Sequence, residues 1–164
     1  MKKRWLILIS IVAVIGIGLT IFFLSKNNES DTDDKSSTVA ETLVSNFKKE
    51  IKDEKDIKKI ATTLSTNKSI KIKLDVFDIE EGDYIAGFDE EITGFKKAVG
   101  VAPMISTIPF IMYIFEVEDA SKFAQNLESH AQLNWNICTQ ADEMKTSVSG
   151  NFVFFIMSPY NFQD

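Results

Sequence analysis

His130 and Cys138 are the only histidine and the only cysteine among 164 residues, so the single nucleophile–base pair this chain can offer is fixed by elimination. Such a pair needs the imidazole within hydrogen-bond reach of sulfur to generate thiolate, and a third group to orient the ring. Asp142 is the residue placed to serve as that third group. The surrounding residues favour a different reading. Asn134-Trp-Asn-Ile-Cys138 links a helix to a sheet, and an unpaired cysteine beside Ile137 and near Trp135 reads as a small buried apolar side chain. The expectation is therefore structural: Trp135 and Cys138 fix the turn, and His130 sits at a helix edge with its ring satisfied.

A second concentration of chemistry lies between residues 78 and 91, where Asp78, Glu80, Glu81, Asp83, Asp89, Glu90 and Glu91 accompany Gly82 and Gly87. Hard cations take six to eight oxygen ligands, and Asp78, Glu80, Glu81 and Asp83 are the candidates. Their spacing does not match D-x-[DN]-x-[DN]-G with a distal Glu, so the run reads as a solvated acidic loop. Zinc is poorly served by one His and one Cys. No glycine-rich nucleotide loop is present, and no cofactor is expected. Tyr84, Phe88, Phe95, Tyr113, Tyr160 and Phe162 supply more aromatic surface than a small core needs, and most of them are expected in the core. Those in the 79–95 connection and the C-terminal tail could form a patch that a protein or glycan covers.

The elements that must position these residues follow from periodicity. Thr38-Val-Ala-Glu41 is a capping box, and Val39, Leu43, Phe47 and Ile51 continue from it as one apolar stripe. Asp53 is placed to cap a second helix carrying Ile57, Ile60, Ala61 and Leu64, with Lys58 and Lys59 facing water. Ile70, Ile72, Leu74 and Val76 alternate with Lys71, Lys73 and Asp75, the period of a strand with one wet face. Residues 95–117 read as two strands interrupted by Pro103 and the Ser106–Pro109 region, the second of them central. Asp119 can cap a helix with Ala120, Phe123, Ala124, Leu127 and Ala131 inward, ending near Asn134. Met144–Val148 and Phe152–Met157 form a closing hairpin around Ser149-Gly150-Asn151. The order ααβββαββ predicts an α+β domain with helices covering one face of a largely antiparallel sheet.

Ahead of this domain, residues 5–24 form an uncharged apolar run behind Lys2, Lys3 and Arg4. Twenty helical residues at ~1.5 Å each match a hydrocarbon core of roughly 30 Å. The run is longer than a signal-peptide core and ends in Phe22-Phe23-Leu24-Ser25-Lys26 without a small-x-small site, which favours an uncleaved anchor. The basic N-terminus and the acidic residues after the span place residues 1–4 in the cytoplasm as a stub. Residues 25–37 then form a flexible tether without apolar residues, and 38–164 an extracytoplasmic domain. Thirteen tether residues reach about 20 Å as a coil, holding the domain near the membrane.

From Glu41 onward there are 20 Asp plus Glu against 13 Lys and no Arg, a balance that repels nucleic acid and anionic membrane surfaces. Without a guanidinium fork, bidentate capture of phosphate is absent from the domain. A single cysteine excludes an internal disulfide, and the Lys-dominated composition fits an AT-rich Gram-positive bacterium.

At Gly87-Phe-Asp-Glu-Glu-Ile-Thr-Gly-Phe-Lys96, Ala102-Pro-Met-Ile-Ser-Thr-Ile-Pro-Phe110, Trp135-Asn-Ile-Cys138 and Gly150-Asn-Phe-Val-Phe-Phe-Ile-Met157, the chain resembles an uncharacterised group of small membrane-anchored or lipid-tethered extracytoplasmic domains of low-GC Gram-positive bacteria. The resemblance spans roughly residues 70–158. It implies an envelope location and supplies no catalytic residues. The expected function is a non-enzymatic module, anchored by residues 5–24, that binds a protein or envelope component; the alternative is an envelope enzyme using Cys138 and His130.

Overall fold

The computed structural model describes residues 37–104, 107–136 and 138–162. The chain divides into units Met1–Ser36 and Ser37–Asp164. The anchor expected at 5–24 and nearly all of the expected tether lie outside the described residues, among which no helix is long and apolar enough to cross a membrane.

The first element among the described residues opens with the capping box. Thr38 Oγ1 accepts from Glu41 N and Glu41 Oε2 accepts from Thr38 N, both at 3.2 Å, and helix α1 runs Val39–Asp53 with Val39, Leu43, Phe47 and Ile51 buried. Helix α2, Ile57–Ser65, is capped by Asp56 and not by Asp53, which is still inside α1. The Asp56 carboxylate accepts from Lys58 N at 3.0 Å and Lys59 N at 3.3 Å. The apolar stripe alone could not separate these carboxylates, because either stands close enough to the first buried isoleucine to cap it.

The five strands are β1 Leu74–Ile79, β2 Phe95–Pro103, β3 Ile111–Val117, β4 Glu143–Ser149 and β5 Phe152–Ser158, with helix α3 at Ala120–His130 between β3 and β4. All four pairings are antiparallel, in the order β1-β2-β3-β5-β4. The fold is thus α+β in the expected order, with β3 central. Residues 70–73 keep the in-out alternation but do not enter the ladder, which starts at Leu74 opposite Pro103. Asp119 caps α3 by accepting from Lys122 N at 3.0 Å. That helix stops at His130, because Ala131 turns extended to bridge Phe88.

The helices cover both faces of the sheet, a correction to the one-faced packing expected. Val99, Val101, Met112, Ile114, Phe152, Phe154 and Ile156 pack against α1 and α2. Ala98, Ile111, Tyr113, Phe115, Val153, Phe155 and Met157 pack against α3 and residues 79–95. The reason lies in β3 and β5, where alternate residues are not polar. Phe152-Val-Phe-Phe-Ile-Met-Ser158 is buried throughout, so each face needs a cover. Stacked Phe47 and Phe154, 5.1 Å between centroids, mark one core; Phe115 and Phe123, at 5.0 Å, mark the other.

The β4–β5 hairpin closes through Gly150 and Asn151. Only Gly150 takes a positive φ, at 61°, so the turn follows the II′ pattern of one left-handed residue, and Asn151 does not use its tolerance.

Candidate functional site

Residues 80–94 connect β1 to β2 without regular structure and lie across the half of the sheet face that α3 leaves open. Ile85, Phe88 and Ile92 enter the core from this strap, and the Phe88 ring lies 4.9 Å from Phe155. Gly87 is what lets the backbone come so close. Its φ is +96°, and a Cβ there would stand 2.5 Å from Ile111 Cδ1 and from Met157 Cε. The Tyr113 hydroxyl donates to Ala86 O at 2.9 Å, and its burial pushes the phenol pKa up.

The end of α3 fastens the strap. Asp89 N donates to His130 O at 3.0 Å and Gln132 N donates to Gly87 O at 2.8 Å, forming the two-residue ladder around Phe88 and Ala131. The side chains reinforce it: His130 Nδ1 lies 3.0 Å from Asp89 Oδ1, Gln132 Nε2 donates to Asp89 Oδ2 at 2.9 Å, and His130 Nε2 lies 3.5 Å from Glu90 Oε2.

This arrangement decides the fate of the only possible dyad. Both ring nitrogens of His130 face carboxylates, and among the described residues no hydrogen bond joins the ring to Cys138. Asp142 does not orient the ring; its carboxylate accepts from Tyr160 N at 3.0 Å. Cys138 itself is exposed, contrary to the buried packing expected. Leu133 O accepts from Ala141 N at 2.9 Å, so the segment between them is a closed surface loop. Leu133, Trp135 and Ala141 pack against the core while Cys138 is turned outward. Trp135 is half-buried and keeps a structural position.

The acidic run is likewise committed to its own backbone. Asp83 Oδ2 accepts from Glu80 N at 2.8 Å, Glu81 Oε1 accepts from Gly94 N at 3.0 Å, and Asp78 pairs with Lys58. Among the described residues no group of three or more His, Cys, Asp or Glu could hold a metal ion. What these bonds leave outward is Tyr84, 86 % exposed, above a shallow cleft of about 340 Å³ lined by Asp83, Ile85, Phe88, Asp89, Glu90 and Glu91. The arrangement can stack an aromatic or cationic group on the ring and surround it with negative charge. A larger cleft, about 570 Å³, separates the start of β2 from the start of α3, but Lys96 within it is already paired to Glu118 at 3.4 Å.

Sequence reasoning placed His130 at a helix edge and Tyr84 in an exposed connection, but missed Asp89, Glu90 and Gln132 as partners of His130. His130 and Asp89 are 41 residues apart, and no local pattern links them. No family model, no curated protein and no solved structure matches this chain.

Proposed function

We propose that this chain is a non-enzymatic interaction module, anchored by residues 5–24 and displayed outside the cell. In this reading the strap from Glu80 to Glu91 meets a protein or envelope component. The observation that carries the reading is Tyr84: a large aromatic ring, 86 % exposed, on a strap otherwise secured to the core at Ile85, Phe88 and Ile92. Fastening the backbone on either side of an exposed aromatic lowers the ordering cost of binding, and tyrosine is enriched where proteins meet. The acidic rim favours a partner with cationic groups and disfavours nucleic acid. Two committed ring nitrogens on His130 speak against the thiol enzyme.

Location and partner are tested separately. Cys138 is exposed and is the only thiol, so on intact cells it should react with a membrane-impermeant maleimide without any substitution. Labelling only after lysis would reverse the orientation. For the partner, cross-linking in the native membrane should capture the same species from wild type and from Cys138→Ser, and lose it from Tyr84→Ala. Capture that is indifferent to Tyr84 would discard the strap as the binding surface.

A further inference from the structure

The sheet has two open edges, β1 and β4, and only β1 is guarded. Exposed charges flank it: Lys73, Asp75 and Asp78, the last holding Lys58 from α2. Such charges hinder edge-to-edge pairing of strands. β4 lacks them. Its Glu143 side chain is only 10 % exposed, and its one lysine, Lys145, is 37 % exposed and tied back along the sheet face, with Nζ 3.5 Å from both Glu41 Oε1 and Glu143 Oε2. The rest of the strand, Thr146-Ser-Val-Ser149, is uncharged. No proline or bulge interrupts the register from Glu143 opposite Ser158 to Ser149 opposite Phe152. Val148 stands 41 % exposed on this edge, and Thr146 Oγ1 and Ser147 Oγ are buried without a hydrogen-bond partner.

We propose that β4 pairs antiparallel with β4 of a second copy of this chain, joining two five-stranded sheets into one. A two-fold axis at Thr146 overlaps the whole strand. It sets Met144 opposite Val148 of the second copy, Lys145 opposite Ser147, Glu143 opposite Ser149, and Thr146 opposite itself. No like charges stand directly opposite each other, and the exposed Val148 gains an apolar neighbour. Moving the axis to Lys145 would oppose two ammonium groups, so charge selects against the adjacent register. The contact is isologous and closes at two copies, because each copy uses up its unguarded edge. The pairing does not depend on the proposed partner of the strap, and none of its residues belong to that surface.

Amide hydrogen exchange on the full chain in detergent micelles, read residue by residue by NMR, tests it. In an antiparallel ladder alternate amides of β4 face away from β5, and in a lone chain these exchange as freely as the outward amides of β1. Pairing should protect the outward β4 amides on the order of 100-fold over those of β1. Val148→Lys should abolish that protection and Val148→Thr should keep it, with β3 and β5 amides unchanged in both. Equal exchange at the two edges of the wild type would overturn the proposal, as would protection that survives Val148→Lys.

Discussion

Two residues carry the outcome for catalysis. A thiol–imidazole pair raises the nucleophilicity of sulfur only when the ring can accept its proton, and the ring of His130 is held between Asp89 and Glu90. Titration of the folded protein with a thiol reagent should therefore label Cys138 freely, because it is exposed, and His130→Ala should leave the labelling rate unchanged. A severalfold slower rate in that variant would restore the dyad. Trp135 makes a different prediction. Full burial of a tryptophan makes truncation cost ~3 to 5 kcal/mol, but Trp135 is only partly buried, so Trp135→Ala should cost about 2 to 3 kcal/mol in denaturant unfolding. Cys138→Ser should leave the midpoint in place. Gly87→Ala is the backbone substitution at this scale. Its positive φ strains any residue with a Cβ, while the contacts at 2.5 Å are the mobile ends of Ile111 and Met157, so the change should destabilise by about 1 to 3 kcal/mol.

Among the elements, the α1–α2 corner turns on which carboxylate caps which helix. Asp56→Ala should cost about 1 kcal/mol by leaving the amides of Lys58 and Lys59 without their acceptor, whereas Asp53→Ala should fall within a few tenths of zero. Equal losses in thermal melts would return the cap to Asp53. Glu54 belongs to the same corner: its carboxylate accepts from Asp56 N at 2.9 Å and Lys55 N at 2.8 Å, bonds that hold its pKa below the usual value. A lowered folded-state pKa gives a contribution that is full above the unfolded pKa and is lost as pH falls through the folded one. Glu54→Gln should accordingly flatten the acid limb of the melting profile and leave its alkaline side unchanged. The strap is an element held from outside itself. Its fastening by His130 and Gln132 predicts that His130→Ala raises amide exchange across residues 86–91 while α1 and α2 stay protected, at a stability cost of about 1 kcal/mol or less for a hydrogen bond at the surface.

For the whole molecule, two cores share one sheet, and β3 and β5 belong to both. Phe154 stacks on Phe47 from one side, and its neighbour Phe155 packs against Phe88 on the other. Phe154→Ala should therefore cost ~3 to 5 kcal/mol and loosen α1, yet unfolding should remain a single transition because the strand beneath it cannot separate its faces. Two resolved transitions would show that the layers unfold independently. At the alkaline extreme, burial pulls the Lys145 ammonium pKa down, but Glu143 and Glu41 beside it outweigh burial and hold it above the usual value. Its contribution is full below the unfolded lysine pKa and is lost as pH rises through the folded one.

The sequence determined what is local. Capping at Thr38 and Asp119, the four-residue stripe of α1 and the β4–β5 hairpin are set by side chains reaching a few residues along the chain, and each was legible in order and position, whereas Pro103, expected to interrupt the ladder, is the last paired residue of β2. The fully apolar run of β5 also demanded cover on both faces, a demand that the expectation of helices on one face overlooked. Tertiary structure alone decided what depends on residues distant in sequence. It placed β5 between β3 and β4, and laid the 80–94 strap on the half-face that α3 leaves open. It also brought Asp89 and Glu90 to His130, and turned Cys138 outward beyond the Leu133–Ala141 closure. Composition fixed that there could be one thiol and one imidazole; whether they met depended on where two loops were fastened, which no periodicity along the chain encodes.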